Sequence, residues 1–90
     1  MSHQVVFTAR AQRDLDQVPP RVVPAIVEFA FGDLADGPRR VGKPLDRELT
    51  GILSARRGPY RVLYRVDDDK KRVTILRVAH RADAYRPWTA

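Results

Sequence analysis

Cysteine is absent from the 90-residue chain, which excludes disulfide staples, zinc–thiolate sites and thiol nucleophiles. No apolar run approaches the roughly 20 residues that a membrane-spanning helix needs. Met1-Ser2-His3-Gln4 lacks the charged-then-apolar pattern of a signal peptide. A soluble cytoplasmic protein is therefore expected. Also missing are a glycine-rich phosphate loop, a dinucleotide fingerprint and paired histidines at metal-ligand spacing. Asp67-Asp68-Asp69 is the densest acidic run, but neighbouring residues in a hairpin turn alternate in direction and lack further ligands. It reads as a solvated turn. Neither a metal nor a small-molecule cofactor is expected.

Small size excludes more. Residues 1–90 make a single domain, and a chain this short buries only about 60% of the surface its unfolded form exposes. No second domain is available to enclose a small substrate. Any site must lie on one exposed layer, which favours a polymeric substrate.

What the chain does have is positive charge, unevenly spread. Lys and Arg number 17 against 11 acids, a net +6, and arginine supplies most of the basic residues. Residues 1–38 carry three basic and five acidic side chains; residues 39–90 carry fourteen and six, or +8. The cationic surface belongs to the second half, the electrostatic footprint of a nucleic-acid partner.

Hydrophobic patterning places those charges on a fold. Residues 4–7 are β-branched and apolar, a first strand. Thr8 is an N-cap for a helix to about Gln17, with Ala11, Leu15 and Val18 on one face. Pro19-Pro20 breaks it. In a second helix Val23, Ile26, Val27, Ala30 and Leu34 recur at three- and four-residue spacings, until Asp36-Gly37-Pro38 stops the pattern. Residues 39–44 read as a basic loop. An antiparallel meander follows over residues 52–57, 60–66 and 72–79. Along its middle strand Tyr60, Val62, Tyr64 and Val66 share one face, and Arg61, Leu63 and Arg65 the other. The expected class is α+β, in the order β-α-α-β-β-β, with an N-terminal helical hairpin on one face of a small, mainly antiparallel sheet.

The other sheet face is where chemistry is expected. The second half gathers Arg56, Arg57, Arg61, Arg65, Arg77, Arg81 and Arg86 with His80, Tyr60, Tyr64, Tyr85 and Trp88. Guanidinium forks match phosphate oxygens, and aromatic rings stack on unpaired bases. His80 and Tyr85 can move protons, while arginines can stabilise a charged transition state.

Gly51 to Val66, with Gly-Pro-Tyr-Arg-Val-Leu-Tyr at its centre, resembles the signature strand pair of the RelE/ParE toxin superfamily. Gly42-Lys43-Pro44-Leu45 before it and the stretch from Val78 to Arg86 after it are similar too, so the resemblance covers nearly the whole chain. It implies a type II toxin with a cognate RelB-like antitoxin. RelE-like members cut mRNA on the ribosome; ParE-like members bind DNA gyrase and cleave nothing. Arg61 matches the arginine that contacts the scissile phosphate. Arg81 matches a second arginine, and Tyr85 the C-terminal tyrosine near the attacking ribose hydroxyl. These matches favour the RelE branch, an endoribonuclease in which the 2′-OH attacks the adjacent phosphate without a metal. The resemblance departs at one point: Ile52 and Ser54 stand where well-studied members carry lysines. The candidate general bases are then His80, Tyr85 and Lys43, in that order. Arg56 and Arg57, with Lys43 and Arg47, are expected to hold RNA backbone.

Overall fold

Thr8 does two jobs at the start of the helical half. The computed structural model describes residues 2–82, and in it strand β1 (Gln4–Phe7) leads through Thr8 into helix α1 (Ala9–Gln17). The Thr8 side-chain oxygen accepts the Ala11 N–H at 3.1 Å, and the same hydroxyl donates to the Leu76 carbonyl at 3.3 Å. One residue thus caps α1 and fastens it to the last strand.

Helix α2 (Val23–Phe29) has no side-chain cap and starts instead with Pro24 in its first turn, where a missing N–H costs nothing. It continues into a π-helical turn, Ala30–Leu34, and buries Ile26, Phe29, Ala30 and Leu34. Pro38 then opens a short helix α3 (Pro38–Val41).

The stretch expected as a basic loop over residues 39–44 is instead α3 and a fifth strand, β2 (Gly42–Pro44). Three residues are too few to show alternation, so only the pairing partner reveals the strand. Its Pro44 is tolerated because β2 lies at the sheet edge. A single 3₁₀ turn (Arg47–Leu49) leads to β3 (Leu53–Arg57), β4 (Tyr60–Asp67) and β5 (Arg72–His80). The strand order is β1-β5-β4-β3-β2, with β1 parallel to β5 and every other pair antiparallel. The class is α+β, helices packed on a mostly antiparallel sheet.

A bulge adjusts the register where the core needs it. Leu63 pairs with Arg77 but Tyr64 pairs with Ile75, so Leu76 is the extra residue on β5. Val62, Tyr64, Val73, Ile75 and Val78 therefore all join the helix-side core. Tyr64, expected among the RNA-facing aromatics, is fully buried there. Its hydroxyl donates to the Pro38 carbonyl, and burial pushes its pKa up to about 12. Gly42 makes room for that phenol: a Cβ at this position would lie 2.9 Å from Tyr64 Cζ and 3.2 Å from the Ser54 carbonyl oxygen.

The face away from the helices is not uniformly open. Leu63 shares it with Arg61, yet is buried, as are its cross-strand partners Ser54 and Arg77. The accessible part lies one ladder step further on, at Arg56 and Arg61.

Candidate nucleic-acid interface

Two arginines face each other across a ladder here. Arg56 on β3 is the register partner of Arg61 on β4. Like charges directly opposite each other destabilise a strand pair. Nothing offsets them locally, since the ion pairs formed among the described residues involve Arg10, Arg39 and Arg77 instead. One step back along the same face, Lys43 of the edge strand β2 is the partner of Ser54. These residues, with Val41, line a cleft of 390 Å³: among the described residues it holds three cations, one hydroxyl and no carboxylate. An anion would relieve the repulsion that the fold leaves in place.

Arg61 is held by the full length of β4, and its partner on the other side is the small Ala79, which leaves the guanidinium unobstructed there. Arg81 lies just past β5. Its N–H donates to the Pro59 carbonyl at 2.8 Å, so the ladder runs one step beyond the strand. By alternation Arg81 falls on the side of Ala79 and Arg61. The structure thus brings Lys43, Arg56 and Arg61 together and sets Arg81 at the rim.

Other residues of the expected cluster are elsewhere. His80 pairs with Tyr60, not Arg61, and their rings meet edge-on with centroids 5.7 Å apart. Tyr60 packs against the helix-side core, so His80 lies across the sheet from Arg61. Strand alternation explains the separation: one residue past Ala79 reverses the face. Arg57 likewise sits on the helix side, its guanidinium 5.9 Å from the centre of the Phe29 ring. Arg77 is buried against Asp14. Arg47 lies in the β2–β3 connection with a left-handed φ of 57°, and its carbonyl accepts from the Thr50 hydroxyl at 2.7 Å. Tyr85, Arg86 and Trp88 lie outside the described residues.

Asp14 was missed by sequence reasoning. Its carboxylate takes the Arg77 guanidinium at 2.7 and 3.3 Å and the Val78 N–H at 2.9 Å, where β1 has ended and that side of β5 has no strand partner. The i,i+4 spacing from Arg10, 3.5 Å away, was the available signal, and it pointed to a surface pair.

Residues 5–85 match the family described as the ParE toxin of the type II toxin–antitoxin system parDE. The chain belongs to the RelE/ParE toxin superfamily. Toxin RelG of Mycobacterium tuberculosis is 63% identical over 96% of this chain and 99% of its own length. Toxin RelE of the same organism is 49% identical over 93% of this chain and 87% of that protein. The toxin–antitoxin complex RelBE2 of M. tuberculosis contains a chain of 60% identity that superimposes with a TM-score of 0.87, covering 89% of this chain and 99% of the other. This RelE/ParE chain is thus a toxin of the type II class, with RelE-named relatives. Among its described residues no helix is long and apolar enough to cross a membrane.

Proposed function

We propose that this chain is a ribosome-dependent mRNA endoribonuclease and that a RelB-like antitoxin holds it inactive. The observation that carries the reading is the cleft of Lys43, Arg56 and Arg61, three cations converging with no carboxylate among the described residues that line it. The RelE and RelG names of its relatives support the same branch.

In this reading the scissile phosphate sits against Arg61, with Arg56 beside it and Arg81 at the rim. The ribose 2′-oxygen forms a bond to phosphorus while the bond from phosphorus to the 5′-oxygen breaks, leaving a cyclic phosphate and a 5′-hydroxyl. Charge building on the non-bridging oxygens is stabilised by guanidinium groups already in position. Tyr85 orients the attacking hydroxyl, whose proton leaves to water. Lys43 donates the proton that the departing 5′-oxygen takes. His80, across the sheet, has no direct step and holds Tyr60. Arg47 grips flanking RNA more weakly, and Arg57, turned to the Phe29 ring on the helix side, makes no phosphate contact. The ribosome supplies the orientation that a chain of this size cannot. The 2′-OH makes RNA and not DNA the substrate.

The test is to add the purified chain to translating ribosomes and map new mRNA 5′ ends, comparing wild type with Arg61→Ala at equal thermal stability. Cuts confined to ribosome-bound message and lost in the variant are expected. Intact message together with loss of gyrase supercoiling would replace this reading with the ParE-like one.

A further inference from the structure

A second cleft lies along the stretch of β5 that β1 leaves uncovered. It has a volume of 320 Å³, at the small end of ligand pockets, and sits between α1 and the C-terminal end of β5. Its polar walls are Arg10, Asp14 and Gln17 from the helix and Tyr60, Arg77 and His80 from the strands. None of these has a part in the phosphate chemistry assigned to Arg61.

Arg77 sets the character of this cleft. Only 8% of it is exposed, and its Nε and Nη2 are both engaged by Asp14. Its third nitrogen, Nη1, is buried with no hydrogen-bond partner among the described residues. A guanidinium has five N–H donors, and an unmet one in a buried setting calls for an acceptor. Arg10 adds a second cation whose side chain is 54% exposed and whose contact with Asp14 is long, 3.5 Å, so it is able to turn toward a ligand.

We propose that this cleft is a carboxylate-recognition site that receives an Asp or Glu side chain of a partner polypeptide. The charge count decides the class. Two guanidinium groups against one carboxylate leave +1, which a single further carboxylate neutralises and a phosphate dianion overshoots. An arginine fork shared between two carboxylates also uses the nitrogen that Asp14 leaves over. Among the described residues this cleft shares no lining residue with the phosphate cleft of Lys43, Arg56 and Arg61, and its Arg77 turns to Asp14 on α1. The polypeptide edge fits better: beyond Ile75 β5 is paired with β4 on one side only, and on the side that β1 leaves open Asp14 already answers its Val78 N–H. The site does not depend on the cleavage reading, because a chain that cuts nothing would still carry it.

Side-chain NMR of the labelled full chain tests this. The probe is N-acetyl-glutamate amide, with N-acetyl-glutamine amide and inorganic phosphate as controls at matched ionic strength. Saturable shifts at the Arg77 and Arg10 guanidinium N–H signals and the Gln17 amide are expected with the glutamate probe, absent with glutamine. Arg10→Gln, on an exposed position that leaves the Arg77–Asp14 pair intact, should weaken the saturation several-fold. Equal shifts with glutamine, shifts confined to Lys43, Arg56 and Arg61, or no shifts in a folded chain would overturn the proposal. Tighter saturation of this cleft by phosphate would overturn it in favour of a phosphate site.

Discussion

Lys43 and Ser54 are partners across the β2–β3 ladder and open onto the same cleft as Arg61. The serine occupies a position where the superfamily resemblance leads one to expect a lysine. A lysine is present after all, one strand over, with its Cα in register. A cross-strand neighbour lies about 5 Å away at Cβ, well within the reach of a four-carbon stem.

This juxtaposition gives the first prediction. Lys43→Gln should lower single-turnover cleavage on the ribosome by about 10²-fold, the usual scale of a lost proton donor. Lys43→Arg separates the two possible duties of the residue. Arginine keeps the positive charge but does not give up a proton near neutral pH. Both variants should therefore fall together. A Lys43→Arg protein close to wild type in rate would reduce Lys43 to a charge that grips phosphate.

The second prediction concerns Gly42, Tyr64 and Pro38, which join β2 to the core. Gly42 has an ordinary extended φ of −124°, so an alanine there meets a purely steric obstacle, the Tyr64 phenol. Overpacking of this kind costs about 1–3 kcal/mol. Tyr64→Phe leaves the Pro38 carbonyl without its donor, at a further cost of about 1–3 kcal/mol. The two changes should not add. Removing the hydroxyl takes away the atom with which the new methyl collides, so the double variant should be more stable than the sum predicts. Denaturant unfolding of the four proteins measures the coupling; strict additivity would show that the methyl is accommodated by backbone movement.

Alkaline pH provides a third. Burial raises the Tyr64 pKa from 10.0 in the unfolded chain to about 12 in the folded one. The folded state therefore holds this proton more tightly. The resulting stability is complete below pH 10 and is lost as pH rises from about 10 toward 12, by about 2–3 kcal/mol in all. Tyr64→Phe should flatten this part of the stability–pH curve while starting from a lower plateau. An unchanged slope in the variant would assign the alkaline loss to other groups.

Asp14 gives the fourth. Removing one partner of a buried ion pair strands the other, at about 3–5 kcal/mol. Asp14→Ala should therefore destabilise the fold heavily, because it also frees the Val78 N–H at a sheet edge. Asp14→Ala combined with Arg77→Met should recover a good part of the loss, since no buried charge remains. Thermal unfolding decides it: a double variant as unstable as Asp14→Ala would mean that the Val78 hydrogen bond, not the charge, is what matters.

Helices α1 and α2 and the three long strands were legible because their signals are local. Thr8 is a cap, Pro19-Pro20 a break, and Tyr60 to Val66 alternate over enough residues to show both faces. β2 was not legible, since three residues carry no period and its existence depends on β3 beside it. The candidate site divided along the same line. Arg61 could be assigned to a face by alternation within its own strand. Arg57 and His80 could not, because each sits at a strand end, where one residue reverses the face and the neighbour that decides it, Phe29 or Tyr60, is distant in sequence. Arg77 looked like one more RNA-facing arginine until its pairing with Asp14, 63 residues away, was seen.

That division yields a last prediction, on salt. Each phosphate contact to a single strand contributes about 0.7 to the slope of log affinity against log salt. Arg56 and Arg57 are adjacent in sequence but face opposite sides of the sheet, one in the cationic cleft and one over Phe29. Arg56→Gln should lower the slope for an unstructured RNA by about 0.7 and weaken binding most at low salt. Arg57→Gln should leave the slope unchanged, any loss coming from stability through its ring contact. Fluorescence anisotropy across a salt series, with unfolding measured in parallel, tests both variants. Equal slope changes in the two would mean that RNA wraps the strand end and contacts both faces, which the placement of Arg57 over Phe29 argues against.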